Sequence, residues 1–135
     1  MEPPAAAPPA VIVHGPADLR IALAPGRPVT LLSAPGAALY AGCAWWRALV
    51  AEAAATHPGL VARDLLDCGD APGRALEALR IGQKALILAA EAPGFAEVAA
   101  TAMGCGAVLQ TGRPPALDLA APGAARRLQA WLEHG

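Results

Sequence analysis

Asp67-Cys68-Gly69-Asp70 is the densest group of chemically capable side chains in the sequence. Asp67 ends a predicted strand, where a carboxylate can hold a divalent cation or move a proton. Cys68 lies just before a predicted helix. A thiol near a helix N-terminus can have a lowered pKa and act as a nucleophile or redox sensor. Each residue also has a structural reading. Asp67 can accept loop N–H groups, Cys68 can be a small, partly buried residue, and Asp70 is expected to cap the helix that follows. Ser33 stands in the matching place before an earlier helix, where its oxygen is expected to accept an orphan N–H two or three residues on. A small anionic ligand, if one binds, is expected at Ser33, Gly36, Asp67, Asp70 and Gly73, because helix starts present free N–H groups and partial positive charge.

Other chemistries lack their parts. His14, His57 and His134 form no close pair with one another or with Cys43, Cys68 and Cys105, so no metal site is expected. Neither GxGxxG nor GxxxxGK[S/T] occurs, so no nucleotide cofactor is expected.

The elements that must position these residues are punctuated four times by Ala-Pro-Gly, at Ala34, Ala71, Ala92 and Ala121. Each follows an apolar run and precedes a helix-like stretch. Proline fits the first helical turn, and glycine lets the backbone turn sharply. The pattern predicts a three-layer α/β/α domain with a mainly parallel five-stranded sheet, doubly wound in the flavodoxin or Rossmann manner. Strands are expected at 11–13, 29–32, 62–67, 84–88 and 107–110, with 116–120 as a further edge strand or extended segment. Residues 1–9 read as a disordered Pro/Ala-rich tail and 10–135 as one domain. Parallel sheets bind ligands beyond the carboxyl ends of their strands. That edge is expected to hold His14, Ser33, Asp67, Cys68, Asp70, Glu91, Gln110 and Thr111.

Composition bounds the partners. The chain has 135 residues, a net charge of -1, 56% hydrophobic residues and only 16% charged ones. That balance gives no electrostatic drive toward nucleic acid or an anionic membrane. Three widely spaced cysteines suit reduced thiols and a cytoplasmic location. The stretch from Pro35 to Thr56 reads as one long helix charged only at Arg47 and Glu52. A helix apolar nearly all round needs cover on its outer side. Tyr40, Trp46, Arg47 and Val50 are therefore expected to form a homodimer interface, since aromatics and arginine are common anchors.

The order of elements, with an aspartate ending the third strand, resembles the receiver domains of two-component signalling. That likeness implies a phosphorylatable carboxylate at Asp67. The first strand ends in His14 where those domains carry an acidic pair, and the fifth in Gln110-Thr111 without their lysine. The rhythm from Asp67 to Gln110 also resembles the anti-sigma-factor antagonist fold, with Cys68 in the place of its serine. Neither likeness brings the motif its chemistry needs. The reading is a small α/β binding or interaction module that self-associates; the alternative is a small-molecule or phosphate-binding enzyme with its site at the carboxyl ends of the strands.

Overall fold

The computed structural model describes residues 7–134. Six strands and six helices follow one another as β1 (Ala10–Ile12), α1 (Pro16–Leu23), β2 (Val29–Leu32), α2 (Ala37–Tyr40), α3 (Cys43–Thr56), β3 (Val61–Asp67), α4 (Pro72–Arg80), β4 (Ala85–Ile87), α5 (Phe95–Gly104), β5 (Val108–Gln110), β6 (Ala116–Asp118) and α6 (Ala124–His134). All strand pairs are parallel, in the order β5-β4-β3-β2-β1-β6. The α/β class and parallel sheet are as the sequence pattern predicts. The strand count is six rather than five, because 116–118 pairs with β1 instead of remaining extended.

All four Ala-Pro-Gly segments stand at helix starts, in two forms. In three of them the carbonyls of Ala34, Ala92 and Ala121 accept the N–H groups of Ala37, Phe95 and Ala124 at 3.1, 3.2 and 3.1 Å. Their glycines, Gly36, Gly94 and Gly123, have φ of 66, 72 and 73°. Proline followed by a positive-φ glycine is the sequence of a type II turn, and a Cβ at that glycine would be strained. The fourth differs: Pro72 opens α4 itself, with Ala71 as the N-cap residue.

The expected long helix from Pro35 to Thr56 is two helices. Ala41-Gly42 separates α2 from α3, and Gly42 takes φ 95°, outside the helical range. A lone glycine inside an apolar helical pattern is usually tolerated at modest cost. Here it breaks the helix.

The buried side chains divide between the two faces of the sheet. One face carries Val11, Val13, Leu31, Leu66, Leu86 and Leu88, and every helix adds its buried residues to that cluster, including Leu23, Trp46, Leu79, Val98 and Leu128. The other face carries Leu32, Leu65, Ala85 and Ile87, with Ile12 and Ala116 packed beside them; no helix residue belongs to this cluster. Leu32 and Leu65 are nonetheless 0% and 1% exposed.

The link between β5 and β6 explains that burial. Five residues, 111–115, join strands on opposite edges of a six-stranded sheet. A segment of that length reaches at most about 22 Å, whereas five flat inter-strand spacings need about 24 Å. The sheet must therefore curl, and its concave side is the face with the helix-free cluster. The link crosses that side as a strap, with Arg113 at its centre and Pro114-Pro115 bordering a hollow that also meets Leu65. Pro8 and Pro9 border the same hollow, tied to β2 by their carbonyls, which accept from Thr30 Oγ1 at 2.7 Å and Thr30 N at 3.0 Å. The expected disordered tail therefore ends in an ordered pair; residues 1–6 lie outside the described residues. No described helix is long and apolar enough to cross a membrane.

Candidate functional site

The carboxyl ends of β2 and β3 bring Ser33 and Asp67 together. Ser33 Oγ accepts from Asp67 N at 2.9 Å and donates to the Ala34 carbonyl at 3.1 Å, and the residue is fully buried. Asp67 is 5% exposed and uses both carboxylate oxygens. Oδ1 accepts from Gly69 N at 2.8 Å, and Oδ2 accepts from the Arg113 guanidinium at 2.6 Å. A second nitrogen of Arg113 donates to the Ser33 carbonyl at 2.9 Å. The strap is thus pinned across two strand ends by one forked cation, whose planar geometry suits two acceptors at once.

This arrangement corrects both expected caps. Ser33 does not cap a helix: its oxygen is engaged by the neighbouring strand, and no side chain caps α2. Asp70 is exposed, and Ala71 takes the cap position of α4 without a side-chain hydrogen bond. The physical reason is the same in both places. An Ala-Pro-Gly turn supplies its own hydrogen bond or puts proline where an N–H would be orphaned, so little is left for a capping side chain to do. Gly36 and Gly73 lie at these helix starts. Gly69 comes close to the first of them: a Cβ on Gly69 would sit 3.8 Å from Gly36 Cα and 3.3 Å from Leu39 Cδ1.

Cys68 is 0% exposed, and its thiol pKa is pushed up to about 12, first by burial and then by the neighbouring Cys43 and Asp67. That is the opposite of the lowering a nucleophilic cysteine needs.

β1 lies between β2 and β6, and the helices that follow β1 and β6 pack into the same core cluster. The carboxyl ends of these two strands carry His14 and Asp118, joined Nε2 to Oδ1 at 2.6 Å. His14 N donates to Asp18 Oδ2 at 2.9 Å, and Ala120 N donates to Asp118 Oδ1 at 2.9 Å. Partial burial raises the Asp118 pKa, but hydrogen bonds from His14 and Ala120 and the charges of His14 and Arg113 outweigh it and hold the carboxyl below its ordinary value. A carboxylate with a lowered folded-state pKa stabilises the fold above its unfolded pKa, and that contribution disappears as pH falls through the folded value. Asp118→Asn is therefore expected to lower the melting temperature at neutral pH, and the gap from the parent is expected to close as pH falls below about 4. Thermal melts from neutral to acid pH check this; a gap that persists undiminished in acid would show that the charge of Asp118 is not what stabilises β6 against β1.

The residues expected at an interface do not form an exposed face. Trp46 is 0% exposed and Val50 7%, both within the main core. Trp46 Nε1 donates to Asp64 Oδ1 at 2.9 Å. Arg47 donates to the same oxygen at 3.2 Å and to Gln83 Oε1 at 3.0 Å, while Gln83 Nε2 donates to Asp64 Oδ1 at 2.7 Å and to the Ala85 carbonyl at 2.9 Å. Tyr40 alone of the four is exposed, at 69%. Trp46 packs into the core from the buried face of α3, with Trp45 partly buried against the same cluster, so the case for self-association through this face loses its main anchor.

Sequence reading missed Arg113, Asp118, Asp64 and Gln83. Arg113 had a signal, as the one charged residue in the segment between Gln110 and Ala116. Among the described residues no group of three or more His, Cys, Asp or Glu side chains is placed to hold a metal ion. No protein-family model matches the chain, and no curated protein matches it.

Proposed function

We propose that the chain is a small binding module in which the carboxyl edge of the sheet is a lock for the strap and not a reaction centre. One observation supports this above the rest: Asp67, the best-placed carboxylate for acid–base or cation chemistry, has both oxygens engaged inside the chain, on Arg113 and Gly69. A general base or cation ligand needs a lone pair facing its substrate. Ser33 is buried with its hydroxyl engaged twice, and Cys68 is buried with a raised pKa. Binding then falls to surfaces away from this edge.

Magnesium separates this reading from a receiver-like or metal-dependent one. A ligand that binds only the native state raises the melting temperature as its concentration passes its dissociation constant. Millimolar magnesium is expected to leave the melting temperature unchanged. A saturable rise that Asp67→Asn abolishes would overturn the proposal.

A further inference from the structure

The helix-free face also holds a hollow of about 450 Å³, reaching from the strand starts at Ala10 and Thr30 to Gln110 at the end of β5 and within the range of small-molecule sites. Its floor and walls include Leu65, Pro114, Pro115 and Trp131. Arg63 is its one fixed positive charge, and among the described residues no carboxylate lines it. Among the described residues, Arg63 forms no ion pair.

The backbone turns Arg63 into this hollow by a local irregularity. Val29 pairs with Val61, but the next residue, Thr30, pairs with Arg63, so Ala62 is an extra residue in β3. Val61 packs with the helix-side core, whereas Leu65 belongs to the concave cluster. Without the bulge, Arg63 would share the face of Val61. Bulges commonly re-aim a side chain next to a functional site. The guanidinium is then oriented by Gln110, whose Oε1 accepts from Arg63 at 3.2 Å while its Nε2 is tied to the Gly112 carbonyl at 2.9 Å. Trp131 is held in the same way, Nε1 donating to the Ala10 carbonyl at 2.8 Å.

We infer that this hollow binds a small carboxylate with an apolar body, the carboxylate on Arg63 and the body against Leu65, the prolines and Trp131. This rests on the binding-module reading and names the ligand class for it. A single partly buried guanidinium that, among the described residues, spends one nitrogen on Gln110 matches a monoanion, and its planar fork matches a carboxylate. Proline walls and a hydrogen-bonded indole lose little freedom when a ligand arrives, which favours affinity.

Titration of the full chain with 2-naphthoate, followed by calorimetry and by tryptophan fluorescence, tests the inference. Saturable binding is expected, at least about tenfold tighter than for neutral 2-naphthamide, a difference that reports the charge rather than the ring. Arg63→Gln is expected to remove that preference, with far-UV circular dichroism confirming its fold. Equal affinity for the acid and the amide, an undiminished preference in Arg63→Gln, or no saturation by about 1 mM would overturn the site. The comparison of acid and amide on the parent chain needs no variant to fold. If naphthoate fails while magnesium leaves the melting temperature flat, the hollow is wrong and the binding-module reading stands; a magnesium response lost in Asp67→Asn counts against that reading instead.

Discussion

Replacing Trp46 by alanine is expected to destabilise the fold by about 3–5 kcal/mol, the range for emptying a large aromatic site in a packed core. For a domain of this size that lowers the melting temperature by roughly 10–20 °C. The side chain has no exposed surface, and it sits where α3 meets the sheet. It also gives Asp64 one of its three donors, beside Arg47 and Gln83. Trp46→Phe separates the two contributions. It keeps much of the volume and leaves Asp64 two donors, so its cost is expected to be well under half that of alanine. Chemical denaturation of both variants measures the difference. A loss below about 1 kcal/mol for alanine would mean that the site collapses around the missing ring.

What the sequence made legible was local. Ala-Pro-Gly declares a turn through the fixed φ of proline and the freedom of glycine, and all four segments stand at helix starts. The strands beside those turns followed, and with them the carboxyl-edge positions of His14, Ser33 and Asp67. What stayed hidden depends on strand order. Asp67 meets Arg113 across 46 positions, and His14 meets Asp118 across 104. No periodicity carries such pairings. Capping failed for a related reason: Ser33 has the right type and place for a cap, but a neighbouring strand offers its oxygen a better donor. Trp46 was misplaced because a segment apolar nearly all round does not show which of its faces meets the sheet; Cys43, Trp46 and Val50 share the face that does. The Arg63 hollow was out of reach, since one extra residue in a strand decides which face a side chain takes.

Removing the guanidinium at the centre of the strap is expected to cost about as much as emptying the core. Asp67 is almost wholly buried, and Arg113 is its only ionic partner among the described residues. Taking away one member of a buried pair leaves an uncompensated charge, typically a loss of about 3–5 kcal/mol. Arg113→Ala also frees the Ser33 carbonyl and unpins the strap, the cover that lies over the helix-free face of the sheet. Arg113→Lys is expected to fall between alanine and parent, because an ammonium restores charge without the fork that reaches two acceptors. Asp67→Asn combined with Arg113→Met removes both charges and is expected to lose less than the sum of the single variants, a coupling that a double-mutant cycle reads directly. Additive losses, or an Arg113→Ala variant within about 1 kcal/mol of the parent, would show that the pair does not hold the strap. In that event the curl of the sheet would rest on the core alone, and the carboxyl edge would again be free to do chemistry.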